Sequence, residues 1–155
     1  MSTSIPSQFT ASLLTSGGDA DVGRRIAQQI RLWREPEGRK LFFLGKTDGY
    51  PAGILIVSGF PKSHRSQTRD CALLVHERKL KKDVHLDSVL PACRSVVNAL
   101  LAPIESGQRL EKEGFEQLVE GLSLSAQKLM DKVYCKDWYQ KADKALQLGL
   151  VHRLI

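Results

Sequence analysis

The feature that most constrains the fold is a succession of strand, glycine turn, helix and second strand within residues 9–44. Residues 9–15 (FTASLLT) form a mostly apolar run that a Gly-Gly pair ends, as glycines end strands. Asp19 can cap the helix that follows over residues 20–33, and the apolar run KLFFL at 40–44 is typical of a strand covered on both faces. Because such a crossover joins parallel strands and is right-handed, the pattern predicts a βαβ unit and an α/β fold.

The helix at 20–33 has an amphipathic pattern, with apolar residues at spacings of four, four and three. The residues predicted to face the core are Val22, Ile26, Ile30 and Trp33. Those predicted to face solvent are Arg24, Arg25, Gln28, Gln29 and Arg31.

The middle of the chain continues the alternation of helix and strand. Pro51 suits a first helical position, and the apolar stretch after it predicts a short helix buried at the centre of the domain. Residues 61–68 are predicted as a polar loop. Residues 71–75 (CALLV) are predicted as a third strand, and His76 stands at its C-terminal end.

The second half of the chain is predicted to be mainly helical. An apolar stripe predicts a long helical region over 86–122, which Pro103 and Gly107 can kink or interrupt. Further helices are predicted at 124–133 and 141–148, and Gly149 suits the end of the last one. Residues 150–155 are predicted as a final strand.

Length and composition predict a single domain. At 155 residues and 42% hydrophobic content, the chain can bury a core without disulfides or metals to hold it together. We expect residues 1–8 to be disordered or extended and residues 9–155 to form the domain. No internal repeat or low-complexity segment interrupts it.

Cysteine usage and hydropathy predict the compartment. Cys71, Cys93 and Cys135 are odd in number and match neither a disulfide framework nor a C-x-x-C motif, so we expect reduced thiols. The polar N-terminus lacks the pattern of a signal peptide, and no apolar stretch is long enough to span a membrane. We therefore expect a soluble, cytoplasmic protein without membrane association, metal or cofactor.

The net charge of +6 raises the question of an anionic partner. The basic residues cluster as Arg24, Arg25, Arg31, Arg34, Arg39 and Lys40, and as Arg78, Lys79, Lys81 and Lys82. Most of the first group belong to a helix or its exit, and the second group has no interleaved aromatic residues for base stacking. The pattern favours a solvated surface over a nucleic-acid site.

Three stretches in order carry a resemblance to a known family. The C-terminal KDWYQKADKALQLGLVHRLI, the upstream LLTSGGDADVGRRIAQQI and the strand CALLVH resemble corresponding segments of the Clp protease proteolytic subunit, a member of the ClpP/crotonase superfamily. The resemblance runs from about Leu13 to Ile155. It implies a fold of stacked βαβ units with a largely parallel sheet and a helical C-terminal half.

The resemblance also implies roles for individual residues. His76 would match the general base and Asp137 the carboxylate that orients it, while Gly17 and Gly18 would lend backbone N–H groups to an oxyanion hole. Each has an ordinary alternative. His76 can be a polar residue at a strand end, Asp137 a cap, and the glycines the tight start of a helix.

The nucleophile that the family would supply is missing from its expected place. In the family it is a Ser at the start of the buried helix, whereas here the matching positions are Tyr50, Ala52 or Gly53. Ser58 is the nearest hydroxyl in the same segment, and Ser16 is the other candidate.

Three functions follow as hypotheses. The first is a degenerate Clp-protease-like subunit that has lost peptidase chemistry and acts as an oligomeric structural or binding component, a trimer or a ring, using the apolar ridge of residues 86–122. The second is an active ATP-dependent Clp-type serine endopeptidase, acting on peptides, whose nucleophile has moved to Ser58 or Ser16. Because only about a dozen residues precede the glycine turn, we do not expect docking to a ring ATPase.

The third hypothesis is a crotonase-like protein that binds an acyl-CoA thioester. Two backbone N–H groups polarise a carbonyl in such sites, and no serine is required. Gly17 and Gly18 would suit that role, and basic residues around Arg24 and Arg65 could meet a nucleotide phosphate.

Overall fold

The computed structural model describes residues 8–13, 19–36, 38–46 and 51–155, with only the backbone course given for 8–13 and 51–53. A four-stranded parallel sheet has the order β1, β2, β3, β6, formed by Gln8–Leu13, Lys40–Gly45, Arg65–Gln67 and Arg153–Leu154. A separate antiparallel pair joins β4 (Ala72–Val75) and β5 (Trp138–Lys141). The helices are α1 (Ala20–Arg34), α2 (Pro51–Val57), α3 (Leu90–Leu118), α4 (Ala126–Val133) and α5 (Ala142–Leu148). The fold is thus α/β with a parallel sheet and a helical C-terminal half, as predicted.

The predicted βαβ unit is confirmed. β1 and β2 pair in parallel over six residues, from Gln8 opposite Lys40 to Leu13 opposite Gly45. Asp19 caps α1, because its side-chain oxygen accepts a hydrogen bond from the Asp21 N–H at 2.7 Å. A second unit follows, since α2 connects β2 to the parallel strand β3.

The predicted orientation of α1 is wrong for part of its length. Gly23, Ala27 and Ile30 are buried, whereas Val22, Ile26 and Trp33 are exposed. Small residues face inward because α1 packs closely on α2: a Cβ on Gly59 would stand 2.8 Å from the Ala27 carbonyl oxygen. Such an approach leaves no room for larger side chains on that face.

The short helix α2 lies in the core, as its apolar sequence predicts. Ile54, Ile56 and Val57 are buried, and Phe60 just beyond the helix is almost fully covered. Phe60 packs on Phe43 of β2 with ring centroids 5.7 Å apart, so α2 and the sheet share one apolar cluster.

The predicted polar loop at 61–68 is wrong, because it contains a 3-10 turn at Lys62–His64 and the sheet strand β3. Arg65 and Gln67 of this strand are buried. Their nitrogen donors are hydrogen-bonded to backbone carbonyls, Gln67 Nε2 to Cys71 O at 3.2 Å for example. Polar residues can therefore form a central strand here, and no apolar alternation marks it in the sequence.

The predicted strand at 71–75 is confirmed as β4, but its partner was not predicted. β4 pairs with β5, which occupies residues expected to lead directly into a helix. The last pair of the ladder is Val75 with Trp138. His76 and Asp137 therefore follow that pair at the same end of the ribbon.

The long helix α3 runs for 29 residues through Pro103 and Gly107, so the predicted interruption is wrong. Its buried residues, Gly114, Phe115 and Leu118, all belong to its last two turns. The rest of the helix extends away from the core, which the apolar pattern alone did not indicate.

The C-terminal helices agree with their predictions. Ser125 caps α4 through a hydrogen bond from the Lys128 N–H, and Gly149 ends α5 in the left-handed conformation at φ 78°. The predicted strand at 150–155 is reduced to the two residues of β6. Within the part of the chain that the structure describes, no helix is long and apolar enough to cross a membrane.

Candidate functional site

A wide cleft of about 1290 Å³ lies between α1, α2, α3 and the β4–β5 pair. The three residues predicted for a catalytic relay line it: Ser58, His76 and Asp137. Asp19 and Ala20, which follow the glycine turn, line it as well. Gly17 and Gly18 lie outside the described residues, as do Ser16 and Tyr50.

His76 follows β4 and is half-buried at the wall of the cleft. Its ring Nδ1 is hydrogen-bonded to the carbonyl oxygen of its neighbour Glu77. Among the described residues it forms no hydrogen bond with Asp137 or with a hydroxyl. The imidazole is thus held by the local backbone rather than by a carboxylate.

Asp137 precedes β5 at the rim of the cleft. Its Oδ1 lies 3.9 Å from Lys79 Nζ, and its side chain is 42% exposed. An ion pair this long and this exposed contributes little stability. The strand register brings Asp137 and His76 to one end of the ribbon, although the two side chains point to different partners.

Ser58 is buried just beyond the end of α2, and its hydroxyl is occupied. Its Oγ donates to the Leu55 carbonyl oxygen at 2.6 Å and accepts from Arg31 Nη2 at 3.2 Å. The same Arg31 nitrogen donates to the Ser58 carbonyl oxygen at 3.0 Å. The hydroxyl therefore takes part in the hydrogen bonds at the C-terminal end of α2. No described base lies within hydrogen-bonding distance of it.

Three arginines surround that helix end, a feature that sequence reasoning missed. Arg31 holds Ser58, Arg34 Nη1 donates to the Gly59 carbonyl oxygen at 2.7 Å, and Arg65 Nε donates to the Phe60 carbonyl oxygen at 2.9 Å. The carbonyls at a helix C-terminus carry partial negative charge, so guanidinium groups are favourable there. Burial, together with the nearby charges of Arg31 and Arg34, lowers the pKa of Arg65 to about 10.

The segment after His76 fastens the cleft wall to its neighbours. Glu77 Oε2 accepts from the Cys135 N–H at 2.7 Å, and the Arg78 N–H donates to Glu111 on α3. The Arg78 side chain reaches Asp21 on α1 at 2.5 Å. Glu77 and Arg78 thus connect the wall of the cleft to α1, to α3 and to the turn after α4.

Glu111 is the acidic group that the sequence analysis overlooked. Its carboxyl is half-buried in the cleft, and burial raises its pKa above the ordinary value. The signal was present, because Glu111 lies four and seven residues before the buried Phe115 and Leu118 and so shares their face of α3.

The basic residues assigned to a nucleotide phosphate are engaged within the chain. Arg24 Nη2 donates to Glu113 at 2.6 Å, and Arg65 is only 2% exposed. Burial closes Arg65 to a phosphate, whereas Arg24 is partly exposed at the cleft and its role toward a phosphate stays a prediction. The role of the turn glycines stays a prediction.

The described residues hold no group of three His, Cys, Asp or Glu side chains placed to bind a metal ion. Cys71 is buried, Cys93 is half-buried and Cys135 is exposed.

Comparison with known proteins finds a match in structure only. No protein-family model and no curated protein sequence matches this chain. A solved structure of a mutant of ClpP1 from Listeria monocytogenes superposes with a TM-score of 0.66. The match covers 96% of this chain and 73% of that one at 15% sequence identity. The chain is therefore similar in fold to the Clp protease proteolytic subunit.

Proposed function

We propose that this chain is a Clp-protease-like subunit without peptidase activity, acting as an oligomeric structural or binding component. The observation that carries the proposal is the way the cleft residues are held. The Ser58 hydroxyl is bonded to Leu55 and Arg31, the His76 ring to the Glu77 carbonyl, and Asp137 to Lys79. A proton relay needs hydrogen bonds from nucleophile to base and from base to carboxylate, and these residues make neither.

The start of α2 supports the same conclusion. Its first three residues, Pro51, Ala52 and Gly53, carry no hydroxyl or thiol. Tyr50, just before the helix, carries a phenol, which is a poor nucleophile for acyl transfer. Ser58 lies beyond the opposite end of α2 from where the family places its serine.

A fluorophosphonate probe tests the proposal, because it labels serines activated by a base. We expect no labelling of the wild-type protein under conditions that label a known serine hydrolase completely. Ser58→Ala and Ser16→Ala serve as matched variants. Labelling that disappears in either one would overturn the proposal and identify the nucleophile.

The second candidate is an active serine endopeptidase of Clp type, and one observation favours it. Ser58, His76 and Asp137 line the same cleft although they come from distant parts of the chain. Activity would require the Ser58 hydroxyl to leave Arg31 and turn toward His76. If so, His76→Ala would abolish probe labelling and peptide cleavage together, whereas the first proposal predicts that neither is present to lose.

The oligomeric part of the proposal depends on α3. The exposed part of this helix carries large apolar side chains, among them Leu90 at 84% and Leu101 at 51% exposure. Exposed apolar patches of this kind mark interaction surfaces in soluble proteins. Light scattering after gel filtration gives the mass in solution, and a monomer at all concentrations would contradict this part of the proposal.

A further inference from the structure

Three arginines converge on the three consecutive backbone carbonyls that follow α2, those of residues 58–60. Arg31 donates to the first at 3.0 Å, Arg34 to the second at 2.7 Å and Arg65 to the third at 2.9 Å. Because consecutive Cα atoms are about 3.8 Å apart, the three guanidinium groups are fixed to a stretch of backbone less than about 8 Å long. We call Arg31, Arg34 and Arg65 the arginine cluster.

Two members of the cluster keep donors that the chain does not use. Arg31 and Arg34 are three residues apart on α1, so their side chains share one face of the helix. Within the described residues, Arg31 bonds only through Nη2 and Arg34 only through Nη1. Their other nitrogens are not among the side-chain atoms that are both fully buried and unbonded, so they are in contact with solvent. An acceptor from solvent can therefore approach both arginines.

The third member, Arg65, contributes charge rather than contact. Burial closes it to a ligand, since only 2% of the residue is exposed. Burial, followed by the charges of Arg31 and Arg34, lowers its pKa to about 10. The three positive charges thus act on one another, and a buried charge is screened less than a charge at the surface. An anion held by Arg31 and Arg34 would also be attracted by Arg65.

The chain offsets only part of this positive charge. The C-termini of α1, α2 and α3 meet at the cluster, and each carries at most about half a negative charge. Burial lowers the pKa of Arg31, and the exposed carboxylates of Glu35 and Glu120 oppose this from a distance. Neither carboxylate forms an ion pair with the cluster in the part of the chain that the structure describes. The helix ends thus leave roughly one to two positive charges without a counter-charge in contact.

We propose that the arginine cluster binds a phosphate group, which accepts hydrogen bonds from the free nitrogens of Arg31 and Arg34. The guanidinium fork fits phosphate oxygens, and arginine clusters recognise phosphate groups in many proteins. A phosphate dianion also matches the unbalanced charge better than a single carboxylate does. The three arginines do not line the cleft, so this inference stands apart from the proposed lack of peptidase activity.

A titration with inorganic phosphate tests the site. At about pH 7.5 phosphate is mostly a dianion, and we expect a saturable rise in melting temperature with a dissociation constant of about 1 mM. Sodium chloride keeps the ionic strength constant. Arg34→Gln should raise the dissociation constant roughly tenfold, because it removes one charged donor. Arg25→Gln, at an exposed arginine of the same helix, should leave the dissociation constant unchanged.

Two further variants keep the test decisive if Arg34→Gln lowers the stability of the fold, which circular dichroism checks. Arg34→Lys keeps the charge but not the fork, so its dissociation constant should lie between those of the wild type and Arg34→Gln. Glu120→Gln removes a nearby negative charge, so phosphate should bind roughly two- to threefold more tightly.

Acetate and O-phosphoserine identify the group that binds. Acetate should bind roughly tenfold more weakly than phosphate, because it carries one charge instead of two. Tighter binding of O-phosphoserine than of inorganic phosphate assigns the site to phosphate groups on larger molecules, and the reverse order assigns it to the free ion. The inference is overturned by equal binding to the wild type and Arg34→Gln, by equal binding of acetate and phosphate, or by no saturation below about 10 mM phosphate. Probe labelling of serines does not depend on the cluster, so failure of this site leaves the proposed function as it stands.

Discussion

Arg65 Nη1 donates to the carbonyl oxygen of Leu118 at 3.0 Å, across 53 residues of sequence. The bond connects the parallel sheet to the last turn of α3, while Nε of the same guanidinium holds the Phe60 carbonyl oxygen beyond α2. No described carboxylate pairs with this buried charge. Two helix ends and the sheet are thus joined by one cation whose partners are backbone carbonyls.

Replacing Arg65 with Met should destabilise the protein by about 3 kcal/mol, because both carbonyls lose their donor in a buried setting. Urea unfolding at neutral pH gives the difference. Arg69→Met, an exposed change four residues further along the chain, should alter the free energy of unfolding by less than about 0.5 kcal/mol. Equal effects of the two variants would contradict the role of Arg65.

Gly59 and Gly107 should respond to Ala in opposite directions. A Cβ at Gly59 would lie 2.8 Å from the Ala27 carbonyl oxygen, and this backbone contact forces α1 and α2 apart at a cost of about 1–3 kcal/mol. A Cβ at Gly107 meets nothing within 4 Å, so Ala should stabilise α3 by about 0.5–1 kcal/mol. Thermal unfolding of the two variants measures both signs, and a lower melting temperature for Gly107→Ala would be evidence against the continuous helix.

Glu111 should make stability fall as the pH rises. Burial raises its pKa above the ordinary 4.5, with Glu77 adding to the rise while the Arg78 N–H, the Arg78 charge and His76 oppose it. A raised folded-state pKa gives stability that is complete below the unfolded value and is lost as the pH passes upward through the folded value. Glu111→Gln keeps the oxygen that accepts from Arg78 and removes the charge. We therefore expect the free energy of unfolding of Glu111→Gln, relative to that of the wild type, to increase between about pH 4 and about pH 7.

Urea unfolding at the two pH values measures this gain. Glu116→Gln, on the exposed side of the same helix, controls for the loss of one negative charge. A gain of the same size in both variants would show that the effect belongs to net charge and not to the burial of Glu111.

The pair Asp21 and Arg78 should show a small, salt-sensitive coupling. The hydrogen bond from Arg78 is the main cause that lowers the pKa of Asp21, so the stability it provides is present above the ordinary 3.8 and is lost as the pH falls through the lowered value. Since the Asp21 side chain is half exposed, a double-mutant cycle with Asp21→Asn and Arg78→Met should give about 0.5 kcal/mol, declining with added salt. A coupling that does not change with salt would show that packing, and not the ion pair, holds Arg78 against α1.

The parts of the fold that were predictable are those where local sequence and tertiary environment agree. Local pattern was sufficient to predict the Asp19 cap of α1, the apolar strand β2 and the end of α5 at Gly149. Each of these features depends on residues close to it in the sequence. β3 was missed because its buried residues, Arg65 and Gln67, are polar, so the strand shows no apolar alternation in the sequence. One of the hydrogen bonds that permit this burial, from Arg65 Nη1 to the Leu118 carbonyl oxygen, spans 53 residues. The orientation of α1 was wrong because close packing on Gly59 favours small inward residues over large ones.

For the candidate site, the sequence did not indicate how the side chains are held. Resemblance to a family brought out Ser58, His76 and Asp137, and all three line one cleft. The Ser58 hydroxyl is hydrogen-bonded to Arg31, and Asp137 forms a long ion pair with Lys79, so both partners come from distant parts of the chain. Sequence spacing does not encode such approaches, and therefore the proton relay could not be judged before the structure was known.

Pro103 lies inside α3 and has no N–H to give, so the carbonyl of Ala99 four residues earlier is left without its helical donor. This missing hydrogen bond lies between two parts of α3. One end is packed in the core through Phe115 and Leu118, and the other end projects into solvent. Opening of the projecting end can therefore stop at this point without disturbing the anchored end. Amide hydrogens on the two sides of Pro103 should then exchange with solvent at clearly different rates.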